Sequence, residues 1–264
     1  MGHQRLGWNP KSQKWDKVVE TIVGCPRGVD PAALSQALAV QSLDAAAPAL
    51  GLVKDDVTFN QTFYLLTQVA LASRQTDWLA GLSVIGVPLS ESSSVFDLAS
   101  QLTVAIDDYV SETGHRSDIG EMAIHAATDA ILSVASERDA SLFGDSGDEL
   151  RATVHSMSTV KGFSDLGQRF FGRFMARFLN FYLSRATAGY VGTGGLRNVT
   201  DVSRLNDSLQ RHCEESARIV RTFCGEWYSK TEFQKGITPA NTSGFIAVAV
   251  EKLRSEMSLQ RSEL

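Results

Sequence analysis

Apolar residues recur at three- and four-residue spacing through most of the chain, the period of an amphipathic helix rather than the alternation of a half-buried strand. The stretch 15–24 predicts a short first helix ended by Cys25-Pro26-Arg27-Gly28. Asp30-Pro31 then sets a cap and a helix-starting proline before the alanine-rich stretch 32–51, which Pro48 and Gly51 close. Phe59, Phe63, Leu66 and Ala70 mark a helix within 55–75, and a shorter one around 76–86 stops at Gly86 and Pro88.

Two capped helices follow. Ser94 and Asp97 form a capping-box pattern ahead of Leu98, Leu102, Ile106 and Tyr109, and after the polar break 111–117, Asp118 and Glu121 precede Ile124, Ala127, Ile131 and Val134. Residues 141–149 read as an acidic, glycine-containing loop and the place for any subdivision. An aromatic helix is expected from Ser164 to about Val191, a break at Gly192-Thr193-Gly194-Gly195, a helix from Asp201 to about Trp227, and a last one opened by Thr238-Pro239 and striped by Ile246, Val250, Leu253 and Met257. No segment alternates as a strand between hairpin turns, and no fixed-period repeat is present. The pattern predicts an all-α chain of eight to ten helices in one irregular bundle or array over 14–258, with a flexible segment at 1–13 and a frayed tail at 259–264.

Composition narrows the partners. Across 264 residues, 25 Lys and Arg against 30 Asp and Glu leave a net charge of -5, which argues against a general nucleic-acid binder. Nothing approaches 18 uncharged apolar residues in a row, so integral membrane insertion is not expected, and 1–15 lacks the apolar core of a secretory signal. Cys25, Cys213 and Cys224 form no paired motif. Cys213 and Cys224 would lie about 16 Å apart on one helix, so all three are expected as free thiols in a reducing, cytoplasmic setting.

Four constellations could carry chemistry. Glu121 with His125, and His212 with Glu215, supply the ligand types of a helical-bundle metal site if their helices face one another, although the order and spacing depart from the di-metal helical pattern. Core packing for His212 and capping for Glu121 account for the same residues. Gly192, Gly194, Gly195 and Arg197 could bind an anion at a helix start, against the plainer reading of a helix-to-helix turn; neither a Walker ending nor a preceding strand is present. Glu214 with Arg218, and Arg211 with Glu215, read as salt bridges on a solvent face.

The aromatic helix stands out. Six of thirteen phenylalanines fall between Phe163 and Phe181, and Arg169, Arg173 and Arg177 recur every fourth residue. A core helix whose arginines pair with acidic neighbours is the structural expectation; a surface that docks a partner, or an anionic membrane, is the functional one. Residues 223–239, with Trp227, Tyr228, Lys230 and Phe233, have the composition of a recognition segment between helices. No nucleophile, base and orienter can be assembled, and no cofactor is expected. The resulting expectation is a non-catalytic interaction or adaptor protein, a subunit of a larger cytoplasmic assembly that binds a protein partner and is compatible with a homo-oligomer. The alternatives are a metal- or phosphate-dependent helical enzyme using Glu121, His125, His212 and Glu215, and a peripheral binder of anionic membranes.

Overall fold

Why the chain folds as it does is clearest from its longest helix. In the computed structural model, which describes residues 3–7, 9–26, 28–137, 147–192 and 196–259, Val160–Gly189 forms one helix of 30 residues, about 45 Å long. Counting from the amino terminus it is α9. Before it come α1 (Gln13–Val23), α2 (Pro31–Ala45), α3 (Ala47–Leu50), α4 (Val57–Ala72), α5 (Trp78–Val84), α6 (Val95–Thr113), α7 (Asp118–Glu137) and α8 (Gly147–Met157); after it come α10 (Val199–Ser216), α11 (Arg218–Lys235) and α12 (Pro239–Leu259). One 3-10 turn spans Val53–Asp55. The described residues contain no β-strand beyond an isolated bridge between Gln4 and Ser117.

The chain is therefore all-α, but twelve helices among the described residues exceed the expected eight to ten. Pro48 stops α2 and seeds the single turn of α3 instead of merely ending a helix. Leu150, Val154 and Met157 give α8 a buried stripe, which three apolar positions among polar neighbours signal only weakly in the sequence. The helix expected from Asp201 to Trp227 breaks at Ala217, and α11 runs on to Lys235, through the segment expected to lie between helices. Val220, Cys224 and Tyr228, every fourth residue, form its buried stripe, and Gly236 at φ +72° stops it. Part of the expected loop at 141–149 lies outside the described residues, as do Gly194, Gly195 and the last five residues of the tail.

Phe163, Phe170, Phe171, Phe174 and Phe178 of α9 are fully buried. Phe59 and Phe63 of α4 lie against them, with Phe59 4.7 Å from Phe174 and Phe63 5.2 Å from both Phe170 and Phe171, centroid to centroid. Phe63 also stacks on Phe245 of α12. Burying each such ring contributes about 1.5–3 kcal/mol, so this cluster is the main thermodynamic reason for the central helix. Flanking helices run antiparallel to α9: Glu137 and Asp129 of α7 reach Arg169 and Arg177, while Glu214 of α10 and Arg221 and Tyr228 of α11 meet Arg173, Asp165 and Phe163.

A second fixed point lies where α4 and α7 begin. Asp56, 7% exposed, accepts the Phe59 backbone N–H at 2.7 Å and the Ser117 hydroxyl at 2.6 Å, and Ser117 Oγ in turn accepts the Gly120 N–H at 2.8 Å. Two helix starts thus share one hydrogen-bonded chain. The α7 cap is Ser117 rather than the expected Asp118, whose carboxylate instead accepts the Leu6 N–H and meets His3. These bonds, with the Gln4–Arg116 backbone contact, lay residues 3–7 against the start of α7.

Candidate functional site

Only one face of α9 escapes burial, and its residues follow the helical repeat: Lys161, Asp165, Arg169, Arg173 and Arg177, each four after the last. With α7 on one side and α10 and α11 on the other, this stripe forms the floor of a polar valley. A cavity of about 520 Å³ opens over its first half, walled by Glu137 from α7 and by Arg211, Glu214, Glu215, Arg218 and Arg221 from α10 and α11. An adjoining cavity of about 550 Å³ shares Glu137, Lys161, Asp165 and Arg169, and extends past His155, Val134 and Ala152.

The three arginines expected as a partner strip brace the fold. Arg169 lies 2.5 Å from Glu137 and donates to Ser133 Oγ at 2.6 Å; Arg173 sits between Asp129 at 3.8 Å and Glu214 at 3.6 Å; Arg177 pairs with Asp129. Each joins α7 or α10 to α9, and the Arg173 pairs, part-buried on both sides, are less screened than a surface ion pair. The aromatic side of α9 faces inward: five of its six phenylalanines are fully buried and Phe181 is part-buried. Trp227 is half-buried and stacks on Phe245 at 4.2 Å, and Tyr228 is fully buried against Phe163 at 4.0 Å, its phenol pushed well above the ordinary value by burial. Of the residues nominated in 223–239, Lys230 and Phe233 reach solvent.

The structure does not bring the four metal-site residues together. Glu121 sits in the first turn of α7 beside Arg116, at 3.7 Å, and His125 is exposed one turn on. In the antiparallel register, Asp129 is level with Arg173 and with Glu214 across the valley, which leaves Glu121 about 12 Å further along α7 and away from His212 and Glu215. Among the described residues no group of three or more His, Cys, Asp and Glu could hold a metal ion. At the start of α10, Asp201 already accepts the Arg197 N–H at 3.1 Å and pairs with its side chain at 3.5 Å, so the chain's own carboxylate occupies the position an anion would take. Gly192 sits in the preceding turn at φ +93°.

The salt bridges expected along α10 also form differently. Glu214 turns toward α9, pairing with Arg173 and accepting from Gln210, and Arg211 bonds to the Asp207 carbonyl and the Ser208 hydroxyl. Packing against α9 draws Glu214 across the valley and leaves Arg218 without its expected partner. All three cysteines are buried free thiols, as expected. No helix of the described residues is long and apolar enough to cross a membrane.

No family model, curated protein or solved structure matches this chain.

His212 gives the valley wall a pH dependence. Its ring is half-buried, Nε2 has no hydrogen-bond partner among the described residues, and desolvation lowers its pKa, opposed in part by Glu215. Folding therefore favours the neutral ring. The unfolded chain binds the extra proton first, so the stability His212 contributes is present above about pH 6.5 and is lost as pH falls below it. His212→Leu, which removes both the titration and the unpaired nitrogen, should reduce the drop in melting temperature between pH 7.5 and 5.5 without lowering the value at 7.5. An unchanged pH profile would mean that other groups set the acid limb.

Proposed function

We propose that this chain is a non-catalytic helical interaction protein, an adaptor or subunit of a larger assembly, and that it meets a protein partner at the last turns of α11. The observation that carries the reading is Phe233, whose side chain is 92% exposed. A phenyl ring held in water on a rigid helix forgoes about 1.5–3 kcal/mol that burial would return, and aromatic anchors of this kind dominate binding energy at protein interfaces. Lys230 is exposed one turn earlier, at the i,i+3 spacing that makes helix residues neighbours, so the ring stands beside a cation. This arrangement favours a partner with an apolar pocket rimmed by acidic or carbonyl groups.

A photo-crosslinking phenylalanine analogue at position 233, expressed in the source cells, should yield one adduct of defined mass that the same analogue at exposed Glu251 on α12 does not give. With that partner purified, Phe233→Ser should weaken binding at least tenfold while leaving stability within about 0.5 kcal/mol, as expected for an exposed position. The same adducts at both positions, or equal affinity for the Ser variant, would reject the reading.

A further inference from the structure

We propose that the cavity between the first half of α9 and the junction of α10 with α11 is a binding site for a small phosphoryl dianion. Charge pairing within the cavity leads to this. Among its carboxylates, Glu137 is engaged by Arg169, Asp165 by Arg221 at 2.7 Å, and Glu214 by Arg173. Three cations on the same lining, Lys161, Arg211 and Arg218, have no carboxylate within 4 Å among the described residues, and Glu215 is the one lining carboxylate without an ion pair. A chain of net charge -5 thus concentrates unneutralised positive charge in one concave place.

The chemistry of these groups selects the ligand. The Arg218 guanidinium and the Lys161 ammonium match the tetrahedral oxygens of a phosphate, which arginine grips through paired N–H donors and lysine as a point charge, and Arg211, bonded to its own helix through Nε and one Nη but to no carboxylate, adds a third positive charge. A neutral ligand would leave the excess charge in place, and a carboxylate would meet it only in part. The neighbouring cavity shares Lys161 and adds the apolar side chains of Val134 and Ala152, which suits an organic group esterified to the phosphate. The site lies about 22 Å along α11 from Phe233, so it stands apart from the proposed protein contact.

Calorimetric titration of the full chain at fixed ionic strength tests this, with inorganic phosphate, phenyl phosphate and sodium chloride as separate titrants. Phosphate is expected to bind and to raise the melting temperature where chloride does not. Arg211→Gln combined with Arg218→Gln should weaken that binding at least tenfold, and Glu215→Gln, which removes the competing carboxylate, should tighten it several-fold. Tighter binding of phenyl phosphate than of inorganic phosphate would identify an ester as the ligand, and equal binding the free anion. No binding beyond the chloride control, unchanged affinity in the double variant, or weaker binding after Glu215→Gln would each overturn the site. Glu215→Gln carries the test if the double variant does not fold.

Discussion

Gly225→Val is expected to cost this chain about 3 kcal/mol or more, the upper range of overpacking, with a fall in melting temperature of roughly 6–12 °C. Gly225 lies mid-helix in α11, where its backbone N–H donates to Ser164 Oγ of α9 at 3.1 Å. A Cβ there would meet the Val160 carbonyl oxygen and Ser164 Oγ inside contact distance. The obstacle includes α9 backbone, which cannot rotate aside as a long side chain can. Two helices would have to separate along the Phe163–Tyr228 stack, exposing both rings. Gly244 in α12 is the matched control: no atom lies within 4 Å of its added Cβ, so Gly244→Ala should stabilise by about 0.5–1 kcal/mol through helix propensity. Urea denaturation of the two variants decides the matter. A Gly225→Val midpoint close to the parent's would mean that α9 and α11 are not in this contact.

Asp56→Ala should cost about 2–4 kcal/mol, more than an ordinary cap. It removes the acceptor of the Phe59 N–H, worth about 1 kcal/mol, and leaves the buried Ser117 O–H without an acceptor, worth a further 1–3 kcal/mol. Because Ser117 also caps α7, the damage passes from one helix start to another. Asp56→Asn keeps an acceptor for Phe59 and should lose much less. Burial raises the Asp56 pKa, outweighing the hydrogen bonds from Ser117 and Phe59 that lower it. With the folded pKa above the unfolded one, this group's contribution is fully present below about pH 3.9 and declines as pH rises through the folded value. The Asn substitution should therefore compare best with the parent at neutral pH, where the parent buries a charge. Equal losses for Ala and Asn in urea melts would show that the shared hydrogen-bond chain contributes nothing beyond side-chain size.

Much of the architecture was legible because it rests on local chemistry. Asp30 with Pro31, the Ser94–Asp97 capping box and Gly86 occupy the positions their backbone preferences require, and the structure places helix boundaries there. The arginine repeat on α9 was visible too, since a four-residue spacing defines a face without reference to anything else. Its role was not. Whether Arg173 faces a partner or Glu214 depends on which helix lies alongside, and the sequence neighbours of Glu214 suggested Arg218 instead. The composition of 223–239 was open for a related reason: Trp227 and Tyr228 are amphipathic enough for an interface or a core, and only the presence of α9 and α12 decided that these two pack inward.

The sequence by itself determined that the chain is helical, where most of its helices start, and that one helix carries both the phenylalanines and the arginines, because spacing, capping and proline chemistry act over four residues or fewer. The tertiary structure alone decided which cations are neutralised, that Lys161, Arg211 and Arg218 share a cavity, and that Phe233 stands in water while Tyr228 does not. Ion pairing and burial are set by side chains far apart along the chain, and no local pattern encodes which of them will meet.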